Sequence, residues 1–239
     1  MKSQKFLKNS IDLCFRIFRY NLKIIFSNKF IFFLTGAVLF FMIIVIANLF
    51  SDSNPSSGMV YYWLLFPGIL IIFYPTTFGI QNDVDYQMIE IIFGIANYRY
   101  KVWLVRLIQI YVIVALILLL LSIMSYIAIV TFPIIEMVFH LMFPICFIGA
   151  LAFMFSSMVR NGYGTAVLMI IIGLGFWIGS GILIRSKWNV FLNPFYLPSD
   201  INEAIWSGII LENRIYLAIG TIISVLWALF LLQKREKFI

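Results

Sequence analysis

Apolar residues fill long uninterrupted stretches of this chain, and polar residues are gathered into the segments between them. A helix rises about 1.5 Å per residue, so about 20 apolar residues are needed to cross the hydrocarbon core of a bilayer. Six stretches meet that requirement, and they are residues 30–50, 61–80, 102–130, 138–159, 165–184 and 215–232. Residues 113–121 do not alternate between apolar and polar, as a strand of a membrane barrel would. The pattern therefore predicts an all-α integral membrane protein with about six transmembrane helices.

The amino-acid composition supports a membrane location for most of the chain. Of the 239 residues, 63% are hydrophobic and only 11% are charged, and the mean hydropathy is +1.04. Soluble domains carry about 25% charged residues, which cover the surface that faces water. We therefore expect residues 1–239 to form a single transmembrane domain that is surrounded mostly by lipid, with no separate soluble domain.

Basic residues are distributed unevenly between the two sides of this predicted domain. Of the 17 Lys and Arg residues, 14 lie before residue 30, within residues 99–106, at Arg160 or after residue 232. The other three are Arg185, Lys187 and Arg214. An excess of basic residues marks the cytoplasmic side, so we expect both termini in the cytoplasm. The net charge of +7 reflects this asymmetry and, without a folded basic domain, does not indicate nucleic-acid binding.

Two segments outside the spans have the periodicity of amphipathic helices. In the leader, residues 3–29, polar and mostly basic residues recur at steps of three or four beside a broad apolar face. In the second, residues 84–96, a polar and acidic stripe lies opposite Ile, Met and Phe residues. The leader would lie in the cytoplasmic headgroup layer, or act only as a topology anchor. The second helix should pack on the membrane, on neighbouring helices or on a partner protein.

The longest predicted extracytoplasmic segment, residues 185–214, is rich in aromatic and aliphatic residues. Ser199 or Asp200 would cap a short helix that ends near Leu211, before the last span begins. Since Trp and Tyr favour the membrane interface, we expect this segment to form short helices that lie on the outer leaflet or dip into it.

Ionisable residues inside or near the ends of the spans are functional candidates. His140 lies four residues after Glu136, which is compatible with a local hydrogen-bonded pair or with a proton relay. Arg106 lies about one turn into the third span, where it either extends to the interface or pairs with an acid at a cytoplasmic gate. The candidate acids for this gate are Asp83, Asp85 and Glu90. No spacing of potential ligands indicates a metal site.

Small residues and prolines mark two of the spans. The fifth span contains a G-x-x-x-G pattern at Gly175 and Gly179. Such residues let helix backbones approach closely, either within one subunit or between two. Pro67 and Pro75 should kink the second span, because proline donates no backbone hydrogen bond.

The loop after the second span resembles the same region of ABC transporter permeases of the ABC-two type. In that family the loop carries an acidic stretch, an amphipathic coupling helix, a few polar residues and a basic residue that opens the third span. The matching residues here are Asp83, Asp85, Gln87, Met88, Glu90, Ile91, Ile92, Phe93, Ala96, Tyr98, Arg99 and Arg106. Gln87-Met88 stands in place of Gly-Thr, and Ala96 in place of Pro. Arg106 replaces a Lys, so the chain resembles a divergent member.

The resemblance implies the transmembrane subunit of an ATP-driven exporter. The leader would be the elbow helix, and residues 84–96 would be the coupling helix that docks on a cytoplasmic ATP-binding subunit. The residues expected to make this contact are Ile89, Glu90, Ile92, Phe93 and Arg99. Two permease subunits, identical or related, would form the pathway across the bilayer. We expect a multi-pass protein of the cell membrane, in a bacterium the inner membrane.

The chain has no G-x-x-x-x-G-K-[ST] phosphate loop, so ATP and Mg²⁺ would bind to the partner ATPase. We expect no cofactor on this chain and no enzymatic activity of its own. A membrane-embedded substrate-binding subunit or a small secondary carrier stays open as an alternative. Either would usually carry polar residues at mid-membrane, where these spans have almost none. An intramembrane enzyme would need a motif such as H-E-x-x-H or G-x-S-x-G, and the sequence has neither.

Overall fold

The computed structural model describes residues 29–50, 55–85, 87, 94 and 98–233, without the side chains of Arg99 and Lys101. This part of the chain contains six long helices and no strand. The helices are α1 Phe30–Leu49, α2 Ser57–Asp85, α3 Val105–Ala128, α4 Ile134–Val159, α5 Gly162–Ile182 and α6 Glu203–Leu231. A π-helical segment, Arg99–Leu104, leads into α3. All six helices are long and apolar enough to cross a membrane, which confirms the prediction of an all-helical chain with six candidate spans.

The two predicted amphipathic helices fall almost wholly outside the described residues. Of the leader, only Lys29 is described. Of the expected ATPase contact, Ile89, Glu90, Ile92 and Phe93 are not described, and Arg99 is described only in its backbone. The elbow helix and the coupling helix therefore stay predictions.

The last helix begins earlier than the sequence pattern predicted. Instead of a short helix that ends near residue 211 and a span from residue 215, α6 is one continuous helix. Its N-terminus is capped by Asn202, whose side chain accepts a hydrogen bond from the backbone N–H of Ala204, and not by Ser199 or Asp200. The polar residues 212–214 do not interrupt α6, because their side chains bond to other residues and not to the backbone of their own helix.

The centre of the bundle is the contact between α2 and α4. Gly68 of α2 faces Ile145 of α4, and Gly149 of α4 faces Ile72 of α2. A methyl group at either glycine would collide with the facing isoleucine, so each glycine makes room for an isoleucine side chain to lie against the helix backbone. Helix α4 also contacts α3, α5 and α6, and it therefore organises the fold. Helix α2 continues as one helix through both of its prolines.

Helix α5 lies at the edge of the bundle and buries little of its surface. Only 11% of its most apolar stretch is buried, against 56% for α2. Val167, Ile171 and Trp177 are among its exposed side chains. Such a surface is suited to contact with lipid or with another protein.

A two-residue connection joins α4 to α5. Arg160 adopts a left-handed conformation with φ of 59°, and its N–H donates to the carbonyl of Ser156. The side chain of Asn161 accepts hydrogen bonds from the backbone N–H groups of Tyr163 and Gly164, at 2.9 and 3.1 Å. This capping starts α5 immediately after the turn, and α5 runs back along α4.

Successive helices run in opposite directions, so their ends form two layers. The layer that contains Asp83, Arg106 and Arg160 is called here the Arg106 end. The layer that contains His140 and Arg214 is called the Arg214 end. On the predicted topology the Arg106 end faces the cytoplasm.

Candidate functional site

The Arg106 end contains a buried ion pair between α2 and α3. The Nη1 atom of Arg106 lies 2.6 Å from Oδ2 of Asp83, and the two side chains are 7% and 2% exposed. Asp83 lies in the last turn of α2, and Arg106 lies in the first turn of α3. Because both partners are charged, this hydrogen bond is of the strong class. It joins the two helices on either side of residues 86–97, the loop that carries the family resemblance.

The surroundings of Arg106 are mostly apolar and tightly packed. Its guanidinium lies over the ring of Trp103, 5.1 Å from the centroid, which permits a cation–π interaction. The Nε of Arg106 and the indole Nε1 of Trp103 are buried and have no hydrogen-bond partner among the described residues. A cavity of about 10 Å³ lies beside them, enough for about one water molecule. Asp83 is therefore the principal partner of this charge.

Further polar contacts connect the helix ends around this ion pair. Tyr98, next to the π-helical segment, donates its hydroxyl proton to the carbonyl of Leu232 at the end of α6, at 2.5 Å. The hydroxyl of Ser156 on α4 donates to the carbonyl of Thr77 on α2, at 2.9 Å. These buried contacts tie the segment before α3, the end of α6, α4 and α2 together at one end of the bundle.

The structure describes one of the two other candidate acids of this end. Asp85 is exposed and, within the described part of the chain, forms no ion pair with Arg106. Glu90 lies outside the described residues. Of the two candidate acids that the structure describes, Asp83 is the one that pairs with Arg106, while a role of this pair in gating stays a prediction.

The turn after α2 has an unusual backbone. Gln87 adopts φ of 56°, and its N–H donates to the carbonyl of Val84 at 2.9 Å. Left-handed φ values favour glycine, which has no Cβ. Gln87 is one of the two positions at which the resembled family carries Gly-Thr, so the backbone here has the shape that a glycine would provide.

The Arg214 end contains a second buried arginine with different partners. Arg214 is 4% exposed and lies within α6. Its guanidinium donates to Nδ1 of His140 at 3.2 Å, to Oδ1 of Asn213 at 2.9 Å and to the carbonyl of Leu192 at 3.1 Å. The fully buried hydroxyl of Tyr61 has no hydrogen-bond partner among the described residues. No described carboxylate lies within ion-pairing distance of Arg214.

His140 is held by Arg214 and not by Glu136. Because Nδ1 accepts the hydrogen bond from Arg214, the proton of the imidazole must be on Nε2. That atom lies 3.9 Å from Oε1 of Glu136, which is too long for a hydrogen bond. Of the two interpretations of this pair, the local His–Glu hydrogen bond is therefore not formed, and the principal partner of His140 is a residue 74 positions away in the chain.

Asparagine side chains fix the loop between α5 and α6 to the helix ends. Asn213 donates from Nδ2 to the carbonyls of Lys187 and Asn189, at 2.7 and 2.8 Å. Asn193 donates from Nδ2 to the carbonyl of Gly58 at the start of α2, at 2.8 Å. From the sequence, Asn193 is expected only to mark a turn with Pro194, and no pattern indicates the hydrogen bonds of these asparagines. The available signal is the run of polar residues 212–214 between apolar segments.

Two exposed ion pairs lie at the same end. Lys187 and Glu212 approach to 2.8 Å, and the hydrogen bond and charge of Glu212 raise the pKa of Lys187 above its ordinary value. Arg185 and Asp200 approach to 2.5 Å. All four side chains are well exposed to solvent, so these pairs contribute little to stability.

A groove lies between α4 and α6 beside Arg214, and it is called here the Arg214 groove. Its volume is about 460 Å³, within the range of small-molecule sites. Its lining includes Glu136, Phe139, His140, Phe143, Arg214 and Ala218. Polar groups thus occupy one part of the groove, and aromatic and aliphatic groups occupy the remainder.

The predicted G-x-x-x-G residues have no partner within the described part of the chain. A side chain at Gly175 or Gly179 would meet no atom of another helix within 4 Å. The interpretation of these residues as packing sites within one subunit is therefore not supported, and a contact between subunits stays a prediction.

No group of three or more His, Cys, Asp or Glu residues in the described ranges could hold a metal ion. Comparisons of this chain with protein-family models, with curated proteins and with solved structures found no significant match.

Proposed function

We propose that this chain is the transmembrane subunit of an ABC-type exporter, which pairs with a second permease subunit and is driven by separate cytoplasmic ATP-binding subunits. The observation that carries the proposal is the buried Asp83–Arg106 ion pair. It fastens α2 to α3 at the base of the loop that resembles a coupling helix.

In such an exporter, the force generated by the ATPase would reach the membrane through a contact between two proteins. The ATPase and the pathway share no covalent link, so nucleotide-driven closure acts only through a docked contact that differs between two states. Residues 84–96 would form that contact, with apolar anchors in an ATPase groove. A displacement of this segment would reach both adjoining helices together, because the ion pair holds their ends side by side.

The backbone of Gln87 supports the same assignment. A turn with φ of 56° between α2 and the following segment accounts for a glycine at this position in the resembled family. The agreement concerns backbone shape, which the sequence alone does not display.

Helix α5 supports the pairing of two subunits. Its outer face is exposed and carries small residues at Gly175 and Gly179, with no helix of the described chain against them. Close packing at small residues is a common means of helix association in lipid, where the hydrophobic effect does not drive it.

The test is co-reconstitution with a candidate ATP-binding subunit, sought among the genes that flank the gene of this chain. The chain alone, the ATPase alone and the two together are placed in nanodiscs, and ATP hydrolysis is measured. We expect this chain to be inactive alone, because it lacks the phosphate loop, and to bind the ATPase and change its turnover. Failure of the two proteins to associate, or turnover by the purified chain alone, would contradict the proposal.

A further inference from the structure

We propose that the Arg214 groove binds an anionic amphiphile, whose carboxylate or phosphate group contacts Arg214 and whose alkyl chain lies between α4 and α6. The inference is independent of ATP-driven export, because the site requires neither an ATPase nor a second permease.

Arg214 carries a buried positive charge that no described carboxylate neutralises. A guanidinium remains protonated at every pH of interest, and this one is 4% exposed. Its three hydrogen bonds go to an imidazole nitrogen, an amide oxygen and a carbonyl oxygen, which are all uncharged. Since a guanidinium has five N–H groups, two are left over from these bonds, and the one further polar side chain beside it, the hydroxyl of Tyr61, is also uncharged. A buried cation with no counter-ion is costly, so an anion that reaches it would be bound favourably.

The described acidic side chains at this end do not form an ion pair with Arg214. Glu136 lines the groove, but its carboxylate lies on the Nε2 side of His140, at 3.9 Å, whereas Arg214 lies on the Nδ1 side. The imidazole ring therefore separates Glu136 from the guanidinium. The two other ion pairs at this end are exposed and satisfied by their own partners. The position of a counter-ion is thus not filled by a described residue.

The walls of the Arg214 groove are mostly apolar and open to the outer surface of the bundle. Away from Arg214 the lining is apolar, with Phe139, Phe143, Leu211 and Ile215. Leu211 is 63% exposed and Phe139 is 57% exposed, so the groove is open at the outer surface of the helix bundle. In a chain with six candidate spans, that surface faces acyl chains. An alkyl chain can therefore enter from the side.

The charge of Arg214 and the apolar walls of the groove together fit an amphiphile better than a small anion. Apart from Glu136, His140, Ser207 and Arg214, the walls that a free phosphate would meet are apolar. A ligand with one acidic group and an alkyl chain matches both parts of the groove. Two sources share this chemistry, an anionic phospholipid of the bilayer and a single-chain acid.

The experiment uses the full chain in nanodiscs of phosphatidylcholine that contain a minor fraction of either phosphatidylglycerol or palmitate. After extraction into a neutral detergent, native mass spectrometry counts the lipid that stays bound. We expect the chain to retain at least one of the two anionic probes about tenfold more than phosphatidylcholine, the factor that one charge-assisted hydrogen bond supplies. Retention of phosphatidylglycerol identifies a resident phospholipid, and retention of palmitate alone identifies a single-chain acid.

The variants separate the charge from the shape of the site. Ala218→Phe fills the groove but leaves Arg214 in place, and it should remove the tenfold preference. Arg214→Gln should remove it also, whereas Arg214→Lys should retain part of it. Arg185→Gln is the matched control, because this exposed arginine at the same end is paired with Asp200 and lies outside the groove, and it should retain the full preference.

Three results would overturn the proposal. The first is equal retention of anionic and neutral lipid by the unaltered chain. The second is full preference in Ala218→Phe, which decides the matter even if Arg214→Gln does not fold. The third is displacement of the probe by inorganic phosphate alone at millimolar concentration, which would show a site for a free anion.

Discussion

Arg106 and Arg214 are both buried, one at each end of the bundle, yet their charges are balanced differently. Arg106 has a carboxylate at 2.6 Å, whereas Arg214 has an imidazole, an amide and a carbonyl. In the first arrangement the counter-ion is a residue of the same chain, and the ion pair holds two helices together. The second orients the guanidinium without neutralising it. A buried charge is thus structural at one end and available to a ligand at the other.

The largest effect should come from the loop beside the Arg106 end. Ile92→Asp with Phe93→Asp should abolish ATPase binding and transport, because the apolar anchors of the predicted contact become charged. Insertion and thermal stability should not change. The matched control is Tyr196→Asp with Leu197→Asp, two exposed residues of the loop at the Arg214 end, which should leave ATPase binding intact. Normal transport by the first double variant would show that coupling occurs elsewhere.

The ion pair at the Arg106 end should dominate stability. Asp83→Asn leaves Arg106 buried without a counter-ion and should lower the free energy of unfolding by about 3–5 kcal/mol. The combination of Asp83→Asn and Arg106→Gln should cost less than the sum of the two single variants, because it leaves no unpaired charge. Denaturant unfolding in detergent provides the measurement. Additive costs would mean that the two side chains do not interact as the structure indicates.

Removal of Arg214 should cost less than removal of Asp83. Arg214→Gln leaves buried acceptors unsatisfied, at about 1–3 kcal/mol, but it also removes a charge that no carboxylate balances. The same unfolding measurement applies, in lipid-free detergent so that a bound anion does not contribute. If Arg214→Gln lowers the free energy of unfolding as much as Asp83→Asn does, the two buried arginines do not differ in the way described above.

Gly175→Leu with Gly179→Leu should weaken subunit pairing by about 1–2 kcal/mol, the scale of interhelical interactions in membranes. The stability of a single chain should be unchanged, because neither residue contacts another described helix. Cross-linking in native lipid, with unfolding measured in parallel, separates the two effects. Loss of stability without loss of pairing would place these glycines inside the subunit.

The smallest effect concerns the turn after α2. Gln87→Gly should be neutral or stabilise the chain by up to about 1 kcal/mol, because glycine adopts φ of 56° without steric cost. Gln87→Val should destabilise it, since a β-branched residue is disfavoured there. Thermal unfolding of the three forms distinguishes these outcomes, and a reversed order would contradict the turn geometry.

The sequence predicts the six helices well because lipid requires long apolar segments with internally satisfied backbones. It also indicates the Asp83–Arg106 pair among other options, because both residues border one loop at one end of adjacent spans. The long α6 was not predicted, since residues 212–214 look like the end of a loop. Their polar atoms bond to Asn189 and Leu192, and this depends on how the loop folds back. Two of the partners of Arg214, His140 and Leu192, are likewise distant in sequence, and no local pattern encodes them.

The two-residue connection between α4 and α5 has a consequence for biogenesis. Because only Arg160 and Asn161 separate the two helices, we expect α4 and α5 to enter the lipid together as a helical hairpin. The start of α5 is also fixed in depth by the end of α4, because Asn161 caps the new helix at once. A lengthened connector would release this constraint and let α5 settle at a different height relative to the rest of the bundle.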